Sequence, residues 1–265
     1  MQVPQEDRLK LLRGCPIEIA DGIVVYQPPI SEMIDGNFFG ALWQLCCSAY
    51  DMPSLLDDAG IDFMEVDDWT FFRIMCHTCT PEQTRSVLGD LDLSRFKEME
   101  REFKETGKKD IVLYDEESKI IIDEDIYNRF VAILRELIGF SHPGKKAGNN
   151  ATKKILIMDD RKRRNRRQKS EDNDSLIFDM IVSLVNTEEF SYDYETVFNL
   201  TFYQLLKSFT QIQGKKSAVA LMQGSMSGFV DTSGISATDM AWTYSDEKYK
   251  PKQKKLINNK YTKGK

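Results

Sequence analysis

Four cysteines, in two pairs, are the residues of this chain best suited to metal or redox chemistry. Cys76 and Cys79 form the motif CHTC, whose C-x-x-C spacing occurs in thiol–disulfide and zinc sites. Cys46 and Cys47 could add two ligands, although adjacent cysteines are poorly spaced for zinc. A reactive thiol usually lies at the start of a helix, whereas CHTC follows WTFFRIM and is predicted to end one. We therefore expect buried thiols without metal, with a redox or four-cysteine metal site as the alternative.

The run RKRRNRRQK, at 161–169, places seven basic side chains in nine positions and could neutralise phosphates. The candidate interaction residues are Arg161, Lys162, Arg163, Arg164, Arg166 and Arg167. Five acids crowd the ends of the run, so residues 159–174 carry a net charge of only +2. The run also lacks an aromatic side chain on which a base could stack. We expect a solvated helix or linker, with a nucleic-acid patch as the alternative.

Two further patterns could indicate a site. GFSHPGKK, at 139–146, has the spacing of a phosphate-binding loop, but it follows a predicted helix and has Lys where Ser or Thr would hold magnesium. The six acids between 57 and 68 lack the alternation of a calcium loop, so we expect helix caps and a solvated acidic face. The chain has two histidines, so few residues could serve as the general base of a hydrolytic triad. The sequence predicts a protein that is not an enzyme and takes no cofactor.

Composition and charge limit the class of protein. Of the 265 residues 41% are hydrophobic, enough to bury a core. The polar N-terminus lacks the apolar segment of a signal peptide, and the longest uncharged run, 36–50, is too short to span a bilayer. Five cysteines in such a chain suit a reducing compartment. We therefore expect a cytosolic protein that does not enter a membrane.

Charge also divides the chain. Residues 1–140 carry 28 acidic and 14 basic side chains, whereas 141–265 carry 14 acidic and 22 basic ones. The stretch 141–152 breaks every helical period and is the predicted linker. We expect an acidic α+β lobe at 1–140, a helical lobe at 153–247 and a disordered basic tail at 248–265. Opposed charge in the two halves suits head-to-tail contact between copies, or contact with an acidic partner, more than nucleic-acid binding by a uniformly basic protein.

The elements that must position these residues are predicted from apolar periodicity. The fold class is mainly α with small β-hairpins (α+β), with a helical core and a C-terminal helical platform. Hairpins are predicted at IEIADGIVVYQPPI and where IVLY and KIII flank DEES. KKILIMDDRKRRNRRQK could be one long helix or a strand that runs into a basic segment. Other helices are predicted from Ser31, across SLLDDAGIDF, after a cap at Asp67 or Asp68, after a capping box at Thr80, after a cap at Asp123 (124–138), at 93–105, 175–185 and 201–213, and near SAVALMQ.

Five stretches, in order, carry a family resemblance: VYQPPISEMI, DDAGIDFMEVDDWTFF, LYDEESKIIIDEDIYNRFVAILREL, SLIFDMIVSLVNTEEFSYDYETVFNLTFYQLLKSFTQIQ and MSGFVDTSGI. Through them the chain, from about Ile19 to Trp242, resembles tail-morphogenesis proteins of tailed bacteriophages of Gram-positive hosts. The resemblance implies a non-catalytic role, in which the protein assists or forms part of the tail or baseplate by binding other tail proteins. It supplies no functional residues, and the basic run and the lysine tail are not explained by the pattern.

The resemblance and the residues together predict a chaperone-like, protein-binding factor in phage tail or baseplate assembly. Its partners would be tail or baseplate proteins, and its place the cytoplasm of the bacterial host. One alternative is a structural tail or baseplate subunit that is incorporated in the virion. A second alternative is a nucleic-acid-binding protein that uses 161–169.

Overall fold

The computed structural model describes residues 3–33, 38–102, 109–141, 149–167 and 175–227, and the fold is given for these. They confirm the predicted class, because helices predominate and two small antiparallel sheets accompany them. The helices are α1 Gln5–Leu12, α2 Phe38–Cys46, α3 Pro53–Asp58, α4 Asp68–Cys76, α5 Pro81–Leu88, α6 Glu124–Ile138, α7 Asn150–Arg167, α8 Ser175–Val185 and α9 Phe202–Ser227. The strands are β1 Ile17–Ala20, β2 Ile23–Val25, β3 Lys97–Glu102, β4 Lys109–Tyr114 and β5 Ile121–Ile122. In this part of the chain no helix is both long enough and apolar enough to cross a membrane.

Short polar signals set several helix starts as predicted. The carboxylates of Asp67 and Asp123 cap α4 and α6, and each accepts a backbone N–H three residues further on, at 2.7 and 3.0 Å. At the start of α5 the Gln83 side chain accepts the backbone N–H of Thr80 at 3.1 Å, which closes a capping box. These caps satisfy backbone groups that a helix cannot pair internally, so local sequence is enough to place them.

Both predicted hairpins are present, and the second is larger than expected. β1 and β2 pair antiparallel around Gly22, whose φ of +76° suits the predicted Asp21-Gly22 turn. β4 and β5 pair as predicted, and β3 adds a third strand on the other edge of β4.

The helix predicted at 93–105 is wrong, because Lys97–Glu102 forms β3. Phe96 and Met99 have helical spacing, but only Phe96 is buried, and the strand after it is held by pairing with β4. Ion pairs across the two strands join Arg101 to Asp110 at 3.5 Å and Lys109 to Glu100 at 3.2 Å. Cross-strand partners therefore outweigh helical propensity in this charged segment.

Three other helices differ from the prediction. Ser31 lies in a short 3-10 helix, Ile30–Glu32, and α2 begins at Phe38, with 34–37 outside the described residues. The short helix expected near SAVALMQ is part of α9, which continues through Gly214, because one interior glycine costs only about 1 kcal/mol. The sequence of α8 is apolar nearly all round, a pattern that favours a central place in a core, yet Phe178 is 65% exposed while Met180 and Leu184 are buried.

The buried side chains form two clusters. The main core centres on an aromatic group under α6, in which the ring centroids of Phe72 and Tyr127 lie 4.8 Å apart. The second cluster, here the α3–α7 core, consists of Cys47, Ala49, Leu56, Phe63, Phe71, Met75 and Ile157. Consecutive residues of α4, Phe71 and Phe72, point into different clusters, so this helix separates the two.

Two compact units divide the chain, Met1–Leu206 and Lys207–Lys265. In the first unit α7 packs against α3, so residues on both sides of the predicted linker at 141–152 belong to one unit. The second unit contains the C-terminal part of α9. The predicted lobes at 1–140 and 153–247 stay a prediction, and both 142–148 and the tail at 248–265 lie outside the described residues.

Candidate functional site

CHTC lies at the C-terminal end of α4, as predicted. Cys76 is the last residue of that helix, and His77 follows as its cap. The Cys76 thiol donates to the carbonyl oxygen of Arg73 at 3.3 Å, and the Cys79 thiol lies 3.8 Å from the carbonyl oxygen of Ala41. Both thiols are buried and are paired with backbone carbonyls.

Burial also determines the protonation of these cysteines. It raises the pKa of the Cys46 and Cys76 thiols to about 12, and it raises that of Cys79. Because these pKa values lie above neutral pH, the thiols are protonated there. A protonated thiol is a weak nucleophile and a poor metal ligand, since both roles need the thiolate. Cys47 packs in the α3–α7 core, whereas the other three belong to the main core. This placement favours the structural interpretation of all four, which stays a prediction.

No group of three or more His, Cys, Asp or Glu side chains among the described residues is arranged to hold a metal ion. The phosphate-loop pattern gives no such site in its described part either. Gly139 ends α6 with a φ of +66°, and a Cβ there would come within 2.6 Å of Leu206. A helix C-cap and this close contact therefore explain the glycine. Residues 142–148 lie outside the described part of the chain.

The described part of the basic run, 161–167, lies on α7, so the first alternative, one long helix, is confirmed for these residues; 168 and 169 lie outside the described part of the chain. α3 anchors this helix through Asp160, which is 6% exposed. The Asp160 carboxylate accepts the Ser54 backbone N–H at 3.1 Å and the Ser54 hydroxyl at 2.6 Å. Met52, at the N-cap of α3, makes no side-chain cap hydrogen bond. A carboxylate of α7 therefore provides the cap that the local sequence of α3 does not.

Two of the six candidate basic residues face α3. The guanidinium of Arg161 lies 3.1 Å from the Asp57 carboxylate and 2.5 Å from that of Asp58, and Arg164 lies 3.1 Å from Asp58. Arg164 also donates to the Ser54 hydroxyl at 3.0 Å. The hydrogen bonds from Arg161 and Arg164 lower the pKa of Asp58. We call these contacts, with Asp160, the α3–α7 seam.

Sequence reasoning missed the seam, because it assigned the acids near 57 to a solvated face. Arg161 and Arg164 stand three residues apart, so their spacing indicates a shared helix face, but it does not indicate which acids that face contacts. Two neighbouring acids have other partners: Asp62 pairs with Lys153 at 2.7 Å, and Asp68 lies 3.9 Å from Arg135.

The remaining candidates are less constrained. Lys162 is exposed, and the Arg163 side chain is 55% exposed and lies 3.7 Å from the Asp160 carboxylate. Arg166 and Arg167 belong to α7, but their side chains lie outside what the structure describes. A role for these four residues in binding a partner stays a prediction.

A cleft of about 380 Å³ lies beside the seam, between α2, α3, α4 and α7. Its apolar lining comes from Trp43, Met52, Leu55 and Met75. Polar and charged lining residues are Gln44, Asp51, Thr78, Asp160, Arg163 and Arg164. The cleft therefore combines an apolar floor with a rim that carries both signs of charge.

The C-terminal helices expose apolar side chains. On α8 Phe178 is 65% exposed. In the second unit Val219 and Met222 are each 43% exposed and Met226 is 87% exposed. These three positions fall on one face of α9, at the spacing i, i+3 and i+7. Apolar exposure of this kind is typical of a surface that another protein covers.

The comparisons with known proteins concern this C-terminal part. Residues 167–245 match the family model of the YomV second domain, a family whose name derives from a Bacillus phage. No curated protein and no solved structure matches the chain. The matched range contains two of the five stretches on which the phage resemblance rests, SLIFDMIVSLVNTEEFSYDYETVFNLTFYQLLKSFTQIQ and MSGFVDTSGI. Over residues 167–245 the chain is therefore similar to a phage-derived family.

Proposed function

We propose that this protein is a non-catalytic, chaperone-like factor that binds other proteins during phage tail or baseplate assembly. The observation that most supports the proposal is the match of residues 167–245 to the YomV second domain. The match supports a phage origin, and the role in the tail is the part that we propose.

Exposed apolar side chains support protein binding. The described part of the matched range exposes Phe178 on α8 and Val219, Met222 and Met226 on α9. Burying such side chains in a complex removes apolar area from water, which favours association by about 25 cal/mol per Å² before the costs of binding. The matched region thus offers a surface that can gain free energy from a partner.

The same structure gives less support to a nucleic-acid binder. Arg161 and Arg164 already pair with carboxylates of α3, so intramolecular ion pairs offset much of their charge. A phosphate would have to compete with these carboxylates. Nucleic-acid binding is therefore retained as an outcome of the test.

The test is a pull-down of the tagged, full-length protein from native lysate at moderate salt, after nuclease treatment, with mass spectrometry of the bound proteins. We expect tail or baseplate proteins in stoichiometric amounts. The double variant Met222→Ser and Met226→Ser should recover much less of them. Met158→Ser is the matched control, because Met158 is 56% exposed on α7, outside the matched range.

Two results would contradict the proposal. Recovery of nucleic acid in a parallel pull-down without nuclease, with no tail proteins in either pull-down, would favour the basic run as a phosphate-binding segment. Equal loss of the partner in the α7 control and the α9 variant would remove the argument from the apolar face of α9. Mass spectrometry of mature particles separates a chaperone, which leaves the particle, from a retained structural subunit.

A further inference from the structure

The cleft beside the seam has an apolar floor that the fold itself leaves partly uncovered. Trp43, Met52 and Leu55 are only half-buried, although all three pack against the α3–α7 core, and Met75, which also lines the cleft, is 6% exposed. A volume of about 380 Å³ falls within the range of sites that hold ligands, roughly 300–1,000 Å³. Two methionines and a tryptophan give a floor that adapts to a bulky apolar side chain.

The charges around the cleft differ in how firmly they are held. The Asp51 carboxylate accepts the backbone N–H and the hydroxyl of Ser48 at 2.8 and 2.9 Å. Asp160 is bonded to Ser54, and Arg164 is bonded to Ser54 and Asp58 within the seam. These three charged groups are therefore fixed by the fold.

Arg163 is the loosely held charge on the rim. Its guanidinium lies 3.7 Å from Asp160, near the limit of an ion pair, and 55% of the side chain is exposed. A guanidinium in this state can turn toward an incoming carboxylate and bind it with two parallel hydrogen bonds. Charge complementarity thus selects an acidic group next to the apolar one.

We propose that this cleft binds a short segment of a partner protein in which a bulky apolar side chain stands next to an Asp or Glu. The apolar side chain occupies the floor formed by Trp43, Met52 and Leu55, and the carboxylate pairs with Arg163. Gln44 and Thr78, which also line the cleft, supply polar groups for the backbone of the segment. This inference rests on the proposed function and adds the chemistry of the partner and a place where it binds.

A defined peptide tests the chemistry of the cleft. The probe is an acetylated, amidated Gly-Phe-Asp-Gly peptide, titrated into the full-length protein while the indole N–H signal of Trp43 is followed by NMR. Trp43→Phe assigns the signal. We expect a saturable shift at concentrations on the order of millimolar, and about tenfold weaker binding of the matched peptide with Asn in place of Asp.

Arg163→Glu and Lys162→Glu are the matched variants, because both reverse an exposed charge on α7 and Lys162 does not line the cleft. We expect Arg163→Glu to weaken binding of the Asp peptide about tenfold. Lys162→Glu should keep the affinity for this peptide within about twofold of wild type. The absence of a saturable Trp43 shift, or equal binding by the two variants, would overturn the inference. A melting curve for each variant checks that the fold is retained.

A second measurement separates this inference from the proposed function. A photo-crosslinking amino acid is placed at Thr78, which is exposed at the cleft, or at Lys162 as the control, and the pull-down is repeated. Crosslinking of a tail protein from position 78 but not from position 162 supports both proposals. If tail proteins are recovered, show no crosslink from position 78 and are recovered equally well by Arg163→Glu, the proposal that the partner binds in the cleft is overturned and the proposed function is not. Peptide binding without recovery of any tail protein overturns the proposed function and leaves the ligand chemistry of the cleft standing.

Discussion

The aromatic group of the main core and the α3–α7 seam hold the first unit together by different means. Phe72 and Tyr127 are almost fully buried and pack ring against ring. The seam instead joins α3 and α7 through carboxylates, a serine and two arginines that are 46% and 38% exposed. Apolar packing needs no specific partner atom, whereas each contact of the seam needs an oppositely charged or hydrogen-bonding group at the correct distance.

The difference shows which part of the molecule can change. Truncation of a buried ring leaves a cavity that the surrounding structure only partly fills. The charges of an exposed ion pair are hydrated both in the folded and in the unfolded protein, so the pair contributes little to the free energy of unfolding. We therefore expect the main core to set the stability of the first unit. The seam mainly fixes the position of α7, and with it the rim of the cleft.

The largest effect is expected in the main core. Phe72→Ala should lower the free energy of unfolding by about 3–5 kcal/mol, the usual cost of removing a buried phenyl ring. Urea denaturation followed by circular dichroism measures it. Ile74→Ala is the control on the same helix, since Ile74 is 42% exposed and its loss should change stability by less than about 1 kcal/mol. Equal losses from the two variants would contradict the assignment of the core.

The next effect is expected at the buried anchor of the seam. Asp160→Asn should lower the free energy of unfolding by about 1–3 kcal/mol, because the Ser54 N–H and hydroxyl lose a charged acceptor in a buried place. Asp159→Asn is the matched control, since Asp159 precedes Asp160 on α7 and is exposed. A loss as large as that of Phe72→Ala would mean that the seam stabilises the fold as strongly as the aromatic group does.

Asp115 shows how a buried carboxylate at the edge of the main core behaves with pH. Burial alone would raise its pKa, but hydrogen bonds from Ser118 and Arg95 lower it to about 2. Because the folded pKa lies below the ordinary value, the stabilisation is complete near neutral pH and is lost as the pH falls toward about 2. The stability difference between wild type and Asp115→Asn should therefore narrow in acid. Urea unfolding at about pH 7, 5 and 3 measures the difference.

The corresponding control changes a neighbouring carboxylate that is exposed. Glu116 has a side chain that is 73% exposed and lies 3.8 Å from Lys97. Glu116→Gln should leave both the stability and its pH profile close to wild type. If the stability difference between wild type and Asp115→Asn stays constant from neutral pH to acid, the ionised carboxylate does not stabilise the fold.

The smallest effect is expected for the exposed ion pairs of the seam. Arg161→Gln should lower the melting temperature less than Phe72→Ala, Asp160→Asn or Asp115→Asn does, and the loss should shrink as salt is added, because salt screens exposed charges. Lys162→Gln, one residue further along α7, is the control and should have no measurable effect. A salt-independent loss at Arg161 would indicate that packing of the side chain, and not its charge, joins α7 to α3.

Local sequence was sufficient for features whose physical cause is local. The caps at Asp67, Asp123 and Thr80 and the turn at Gly22 depend on residues a few positions apart, and the structure confirms them. β3 could not be predicted in this way, because its stability comes from pairing with β4. The continuity of α9 was missed because the segments before and after Gly214 were each predicted as a separate helix, whereas one interior glycine costs only about 1 kcal/mol.

What the sequence by itself determined is the mainly helical class, the capped starts of α4, α5 and α6 and the burial of the CHTC thiols, since each follows from periodicity or from neighbouring residues. Only the tertiary structure decided which groups the side chains of the basic run contact. It placed Arg161 and Arg164 against acids more than 100 residues earlier, kept Arg163 at the rim of a cleft, and let Asp160 cap α3. The physical reason is that a charge acts on whatever group the fold brings within a few ångströms, and spacing along the chain does not encode that distance.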